Sequence, residues 1–193
     1  MFGRRGLWGG KVKGMVLSMG EKTRKLTLSA LFSAFAVVLL FIASVLPTGQ
    51  LGIVAAASLF VAAAVVEAGI GAGAGVFIVS SALGMLLIPN RSAPLLFILF
   101  FGYYPALKSV IERVKGTALQ WALKLLVFNL ALTVIWFFML EILFAPIDSM
   151  PAPLLVYLGG NAIFALYDYG FTKAVWFYIY RVSKHRRKQG IES

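Results

Sequence analysis

Hydrophobic positions along the chain fall into six long runs, separated by short polar or breaker-rich stretches. The first, Leu26–Leu46, is apolar and uncharged over about the 20 residues that span a bilayer core. Lys22, Arg24 and Lys25 stand immediately before it, and Pro47 and Gly49 follow. The second, Leu51–Val66, is short and rich in alanine, and Glu67 closes it. The third, Gly69–Ile88, opens with glycines at 69, 71, 73 and 75, whose four-residue spacing suits close helix contact. After the turn Pro89–Pro94, the fourth runs from about Leu95 to Ile111. Pro105 lacks an N–H and predicts a kink or a break there, and Lys108, Glu112, Arg113 and Lys115 are expected to mark its water-facing end. The fifth covers Leu119–Leu143, with Lys124 near its start and Glu141 near its finish. A loop, Ala145–Pro153, holds three prolines, and the sixth covers Leu154–Val182. This pattern predicts an all-α integral membrane bundle of six transmembrane helices over residues 26–182. A basic N-terminal segment (1–25) and a basic tail (183–193) flank it.

Composition agrees with that class. Hydrophobic residues make up 61% of the chain and charged residues 13%, against about 25% charged in an average soluble domain. There is no cysteine, so disulfide, thiol and thiolate-metal chemistry is excluded. The net charge of +11 is concentrated at the ends of apolar runs, where it reads as a topology signal and not as a nucleic-acid footprint. With six spans, sixteen of the eighteen Lys and Arg residues fall on one side. Arg91 stands alone on the other, and Lys173 lies within the sixth run. Both termini are therefore expected to be cytoplasmic, with their basic ends drawn to anionic lipid. The first run is too long for a signal-peptide core of 7–15 residues, so it is expected to be retained. Met15 and Met19 are possible alternative starts.

The first run also carries small residues on one face. Ala30 and Ala34 lie one turn apart, with Thr27 and Ser33 nearby. Such a face permits close helix approach in lipid, either within this chain or against a second protein. Six short helices, about this length, both ends inside, and the segment Ala30-Leu31-Phe32-Ser33-Ala34 together resemble the substrate-binding (S) components of energy-coupling factor (ECF) transporters. The opening Arg24–Leu39 is also similar in style to theirs. The resemblance implies that Ala30 and Ala34 dock on a transmembrane coupling subunit, which works with two cytoplasmic ATPases in a bacterial cytoplasmic membrane. It further implies capture of a small nutrient, a vitamin or a metal, near the outer face. The residues themselves support one part of this separately. No Lys-Ser or Lys-Thr follows the glycine run, so no phosphate-cradling loop is present and an ATP-driven step would belong to a partner.

On that layout, substrate-binding candidates are polar or aromatic groups in the outer half of the bundle. Asn161 follows Gly159 and Gly160, and Tyr157 lies one turn away on nearly the same face. Glu141 and Trp136 are near the outer end of the fifth run, and Asn90 and Arg91 are in the outer turn. Each has a structural alternative: helix–helix bonding for Asn161, packing or an interface belt for Tyr157 and Trp136, and a headgroup-level position for Glu141 and Arg91. Asp168 and Lys173 are five apart and do not share a face; Asp168 is expected to pair with Lys124. Glu67 is expected to face water or the basic termini. Neither a cofactor nor a metal site is expected. His185 is the sole histidine, and no HExxH occurs, so catalysis is not the favoured reading. The alternatives are a self-sufficient ion-coupled carrier, a membrane enzyme or an assembly factor.

Overall fold

The computed structural model describes the backbone of residues 5–46, 48–143 and 153–189, and the side chains over 20–46, 48–136 and 154–181. Every regular element among them is helical. Helix α1 is Arg5–Val45, α2 is Gln50–Ala68 and α3 is Ile70–Leu87. Next come α4 (Ser92–Leu96), a π-helical turn (Phe97–Phe101) and α5 (Tyr104–Ile111). Helices α6 (Thr117–Leu143) and α7 (Pro153–Gln189) complete the chain. Among the described residues five stretches are long and apolar enough to cross a membrane: Gly20–Val45, Gln50–Ala68, Ile70–Leu87, Ser92–Ile111 and Thr117–Trp136. Helix α7 covers the sixth predicted run but is not among the five; Asn161, Asp168 and Lys173 interrupt its apolar character.

Helix α1 begins well before Leu26. Its 41 residues extend roughly 60 Å at 1.5 Å per residue, about twice a hydrocarbon core. No proline breaks residues 5–25, and where side chains are described an i,i+4 ion pair, Lys25 to Glu21 at 3.0 Å, supports the helix. Helices α1, α2 and α3 pack together. Leu40 and Ala43 of α1 meet Val54, Ala57, Val61 and Ala64 of α2 and Val76 of α3 in the interior, and Ser33 and Ala36 are buried on the same stripe of α1. The three- and four-residue spacings put each set on one stripe.

A single residue, Gly69, reverses the chain between α2 and α3. Its φ of +94° and ψ of 175° lie in a region open essentially to glycine. The expected pairing of Gly69 with Gly73 is therefore not a helix-contact pair. Gly73 alone of the four glycines meets a neighbour, Val65 of α2, while Gly71 and Gly75 adjoin open space.

The fourth predicted span is broken, one turn earlier than Pro105 itself suggests. The Gly102 N–H donates to the Phe97 carbonyl at 2.7 Å across a widened turn, and helix resumes at Tyr104. Pro105 cannot donate, and its ring would clash with the carbonyl four residues back; a π turn absorbs that misfit. This broken segment is the most enclosed of the five spans and joins two cores. On one side Ala93, Leu96 and Phe97 enter the α1–α3 interior. On the other, Phe100 and Tyr104 pack with Ala131 of α6 and Phe164 of α7.

Gly102 sits at the break with no room for a side chain: a Cβ there would lie 2.6 Å from the Phe77 ring and 2.7 Å from the Phe97 ring. Gly102→Val is expected to destabilise the protein by about 1–3 kcal/mol, measured as a fall in unfolding midpoint in detergent. An unchanged midpoint would mean the break is not a packing constraint.

Candidate functional site

Five polar side chains from three helices meet near the charged end of the bundle. Tyr104, Lys108 and Glu112 are four apart and so share one face, running from the start of α5 to just past its end. Lys124 comes from the first turns of α6 and Asp168 from the middle of α7. Asp168 Oδ1 accepts from the Tyr104 hydroxyl at 2.6 Å and from Lys108 Nζ. Its Oδ2 accepts from Lys124 Nζ at 3.0 Å. Glu112 Oε1 completes the ring, 3.1 Å from Lys108 Nζ and 3.0 Å from Lys124 Nζ. Thr172 also donates its hydroxyl to the Asp168 carbonyl at 2.7 Å. The pairing expected between Asp168 and Lys124 is present. Lys108, however, does not mark a water-facing end: it is buried, as are Lys124 and Asp168, while Glu112 stays partly open. Its position one turn after Tyr104 aims it inward at the carboxylate.

Two ammonium groups and two carboxylates give the cluster no net formal charge. That balance makes burial tolerable, since an unmatched charge in an apolar interior costs several kcal/mol. A cavity of 110 Å³ adjoins it, lined in part by Pro105, Lys108, Ser109, Glu112 and Thr172, with space for several waters. Lys173 takes no part; its ammonium lies over the Tyr169 ring, 5.4 Å from the centroid. Glu67 accepts from the Tyr178 hydroxyl at 3.3 Å. Among the described residues no three His, Cys, Asp or Glu side chains converge as metal ligands would.

A polar ladder continues along the α6–α7 seam. Asn129 and Asn161 exchange amide hydrogen bonds at 3.0 and 3.1 Å, and each also donates to a carbonyl of its own helix, Leu125 and Tyr157 respectively. One turn on, the Thr133 and Tyr157 hydroxyls are 2.8 Å apart. Between the charged rung and the amide rung, Phe128 stacks on Phe164 with ring centroids 4.6 Å apart. Gly160 lets α6 approach: a Cβ there would be 3.0 Å from Leu132 and 3.5 Å from Phe128. The space beside Gly160 is thus taken by a helix, whereas Gly159 stands open.

The structure therefore brings Asn161 and Tyr157 together as rungs of an interhelical seam. Trp136 is half-buried one turn beyond Thr133, and the Glu141 side chain lies outside the described residues. Asn90 belongs to another part of the bundle. Its amide donates to the Ser44 carbonyl of α1 at 3.2 Å and its Oδ1 accepts from the Ser92 N–H at 3.1 Å. Arg91 beside it is exposed, as are Ala30 and Ala34 on α1. Sequence reasoning missed Tyr104, Asn129 and Thr133. A signal existed: Asn129/Thr133 and Tyr157/Asn161 are both i,i+4 polar pairs in otherwise apolar runs, at matching depth on neighbouring helices. No protein-family model, curated protein or solved structure matches this chain.

Asp168→Asn leaves two buried lysines sharing Glu112 alone, and is expected to cost about 3–5 kcal/mol of stability. Replacing Asp168, Lys108 and Lys124 together with Leu or Met should recover most of that loss if the cluster is structural. A triple variant as unstable as the single one would contradict charge matching as the cause. For the amide rung, a double-mutant cycle with Asn129→Ala and Asn161→Ala should give a coupling of about 0.6–1.7 kcal/mol. Strict additivity would remove the pair as a unit.

Proposed function

We propose that this chain is the substrate-capture subunit of an ECF-type importer in a bacterial cytoplasmic membrane. It would use six spans with both termini inside, bind a small nutrient near the outer face, and act with a coupling subunit and two ATPases. The observation that carries this reading is the state of the α1 flank. Helix α1 packs into the bundle through Ser33, Ala36, Leu40 and Ala43. Ala30 and Ala34 point away from that core and are exposed. Internal packing, the simplest use of such a pair, is therefore taken by other residues, and a close-packing face remains open to a second membrane helix. Of the outer candidates, Arg91, Trp136 and Glu141 are the groups left for solute contact, while Asn90 is hydrogen-bonded to Ser44 and Ser92. Asn161 and Tyr157 are engaged in the α6–α7 seam and would act by positioning that wall.

A self-sufficient ion-coupled carrier is the second reading. The interrupted fourth span beside a buried ion-pair cluster favours it, since carriers place broken helices and paired charges along their pathways.

Gentle purification of the tagged chain from its native membrane separates the two. The importer reading expects a coupling subunit and ATPases to come with it, together with a retained small molecule detectable by mass spectrometry. Ala30→Trp with Ala34→Trp should lower recovery of the coupling subunit at least about tenfold, equivalent to about 1.4 kcal/mol of binding free energy, with the unfolding midpoint unchanged. Isolation of the chain alone, or recovery of the coupling subunit unchanged in the double variant, would reject the docking role.

A further inference from the structure

Helices α2 and α7 are hydrogen-bonded at two levels and parted between them. Deeper in the bundle the Ser58 and Tyr167 hydroxyls are 3.1 Å apart. At the charged end the Tyr178 hydroxyl reaches Glu67. Between these pins, Ala62 and Ala63 of α2 and Ala174 of α7 leave a cavity of 360 Å³, walled also by Leu59 and Phe177 and rimmed by Arg181. Its lining is almost wholly apolar, and its volume is that of a small-ligand site, about 300–1,000 Å³. Arg181 is exposed and, among the described residues, forms no ion pair. Lys184, Arg186, Arg187 and Lys188 follow it in the sequence.

We infer that this groove is a binding site for one anionic phospholipid, with an acyl chain between the alanines and its phosphate at Arg181. The two ends of the groove differ as the two ends of such a molecule do. The walls offer nothing to a polar solute, and the rim offers an uncommitted guanidinium, which matches a phosphate bidentately. Basic pockets between helices at the cytoplasmic side are suited to anionic headgroups. Glu67 is the nearby carboxylate that opposes a phosphate. Its hydrogen bond to Tyr178 ties it to α7 at the rim, and in the sequence the cations at and after Arg181 outnumber it. The charge cluster on the neighbouring α5–α6–α7 face is already neutral and leaves no cation to compete. This inference holds whether or not the chain serves an importer.

Native mass spectrometry of the full chain tests it, with equimolar phosphatidylglycerol and phosphatidylcholine in detergent. Wild type should retain one phosphatidylglycerol in preference by about fivefold. Arg181→Gln should bring the two lipids to parity, and Ala63→Leu with Ala174→Leu should reduce retention of both. Lys173→Gln, which removes an exposed lysine away from the groove, should change nothing. Excess inorganic phosphate should fail to displace the bound lipid. Parity in wild type would overturn the site. So would a loss in Lys173→Gln equal to that in Arg181→Gln, which would reduce the effect to diffuse charge. Displacement by inorganic phosphate would show an anion site without a lipid. If the double alanine variant does not fold, Arg181→Gln decides alone, because that side chain is exposed and, among the described residues, without an ion-pair partner.

Discussion

A carboxylate inside an apolar bundle has to be matched by charge, and Asp168 is matched by lysines from two other helices. Tyr104, Lys108 and Glu112 bring α5 to the carboxylate, Lys124 brings α6, and Asp168 belongs to α7. None of these groups can be buried alone at acceptable cost, so their helices must come together in one register. Lys108 reaches Asp168 because α5 restarts at Tyr104 after the π turn. The break in the fourth span and the charge cluster are therefore parts of one arrangement. The break turns the helix, and the cluster fixes where it turns to.

That constraint divides the bundle into two cores with different chemistry. The α1–α3 core is built from small and branched aliphatic residues at helical spacing and depends on close backbone approach. The α6–α7 side packs on Phe100 and Tyr104, and along its seam cohesion comes from the polar rungs and the Phe128–Phe164 stack. In lipid, apolar surface alone gives helices little reason to associate, and packing and hydrogen bonds supply it. Each half uses one of these two means.

Two surfaces are left over once the cores are assembled. The Ala30/Ala34 flank of α1 presents small side chains outward, on the half of the bundle without charged rungs. The groove between α2 and α7 opens between two hydrogen bonds that tie the helices together, where alanines line both walls. The first suits a helix and the second an amphiphile, for the same physical reason: alanine leaves space that another apolar body can fill.

The sequence by itself determined the helical, apolar class of the protein, the approximate position of its apolar runs and the need for a break near Pro105. It also determined that Asp168 requires a cationic partner. These follow from local composition, periodicity and the cost of burying charge, and all are readable along one chain. Only the tertiary structure decided that Lys108 faces inward, that Gly69 is a turn and not a packing residue, and that Asn161 bonds to Asn129. It also decided that Ala30 and Ala34 of α1 lie outside the core. Each of these depends on which face of a helix meets which neighbour. In a chain whose spans are apolar nearly all round, hydrophobic periodicity carries little information about facing, and the pairing of polar groups between helices sets it instead.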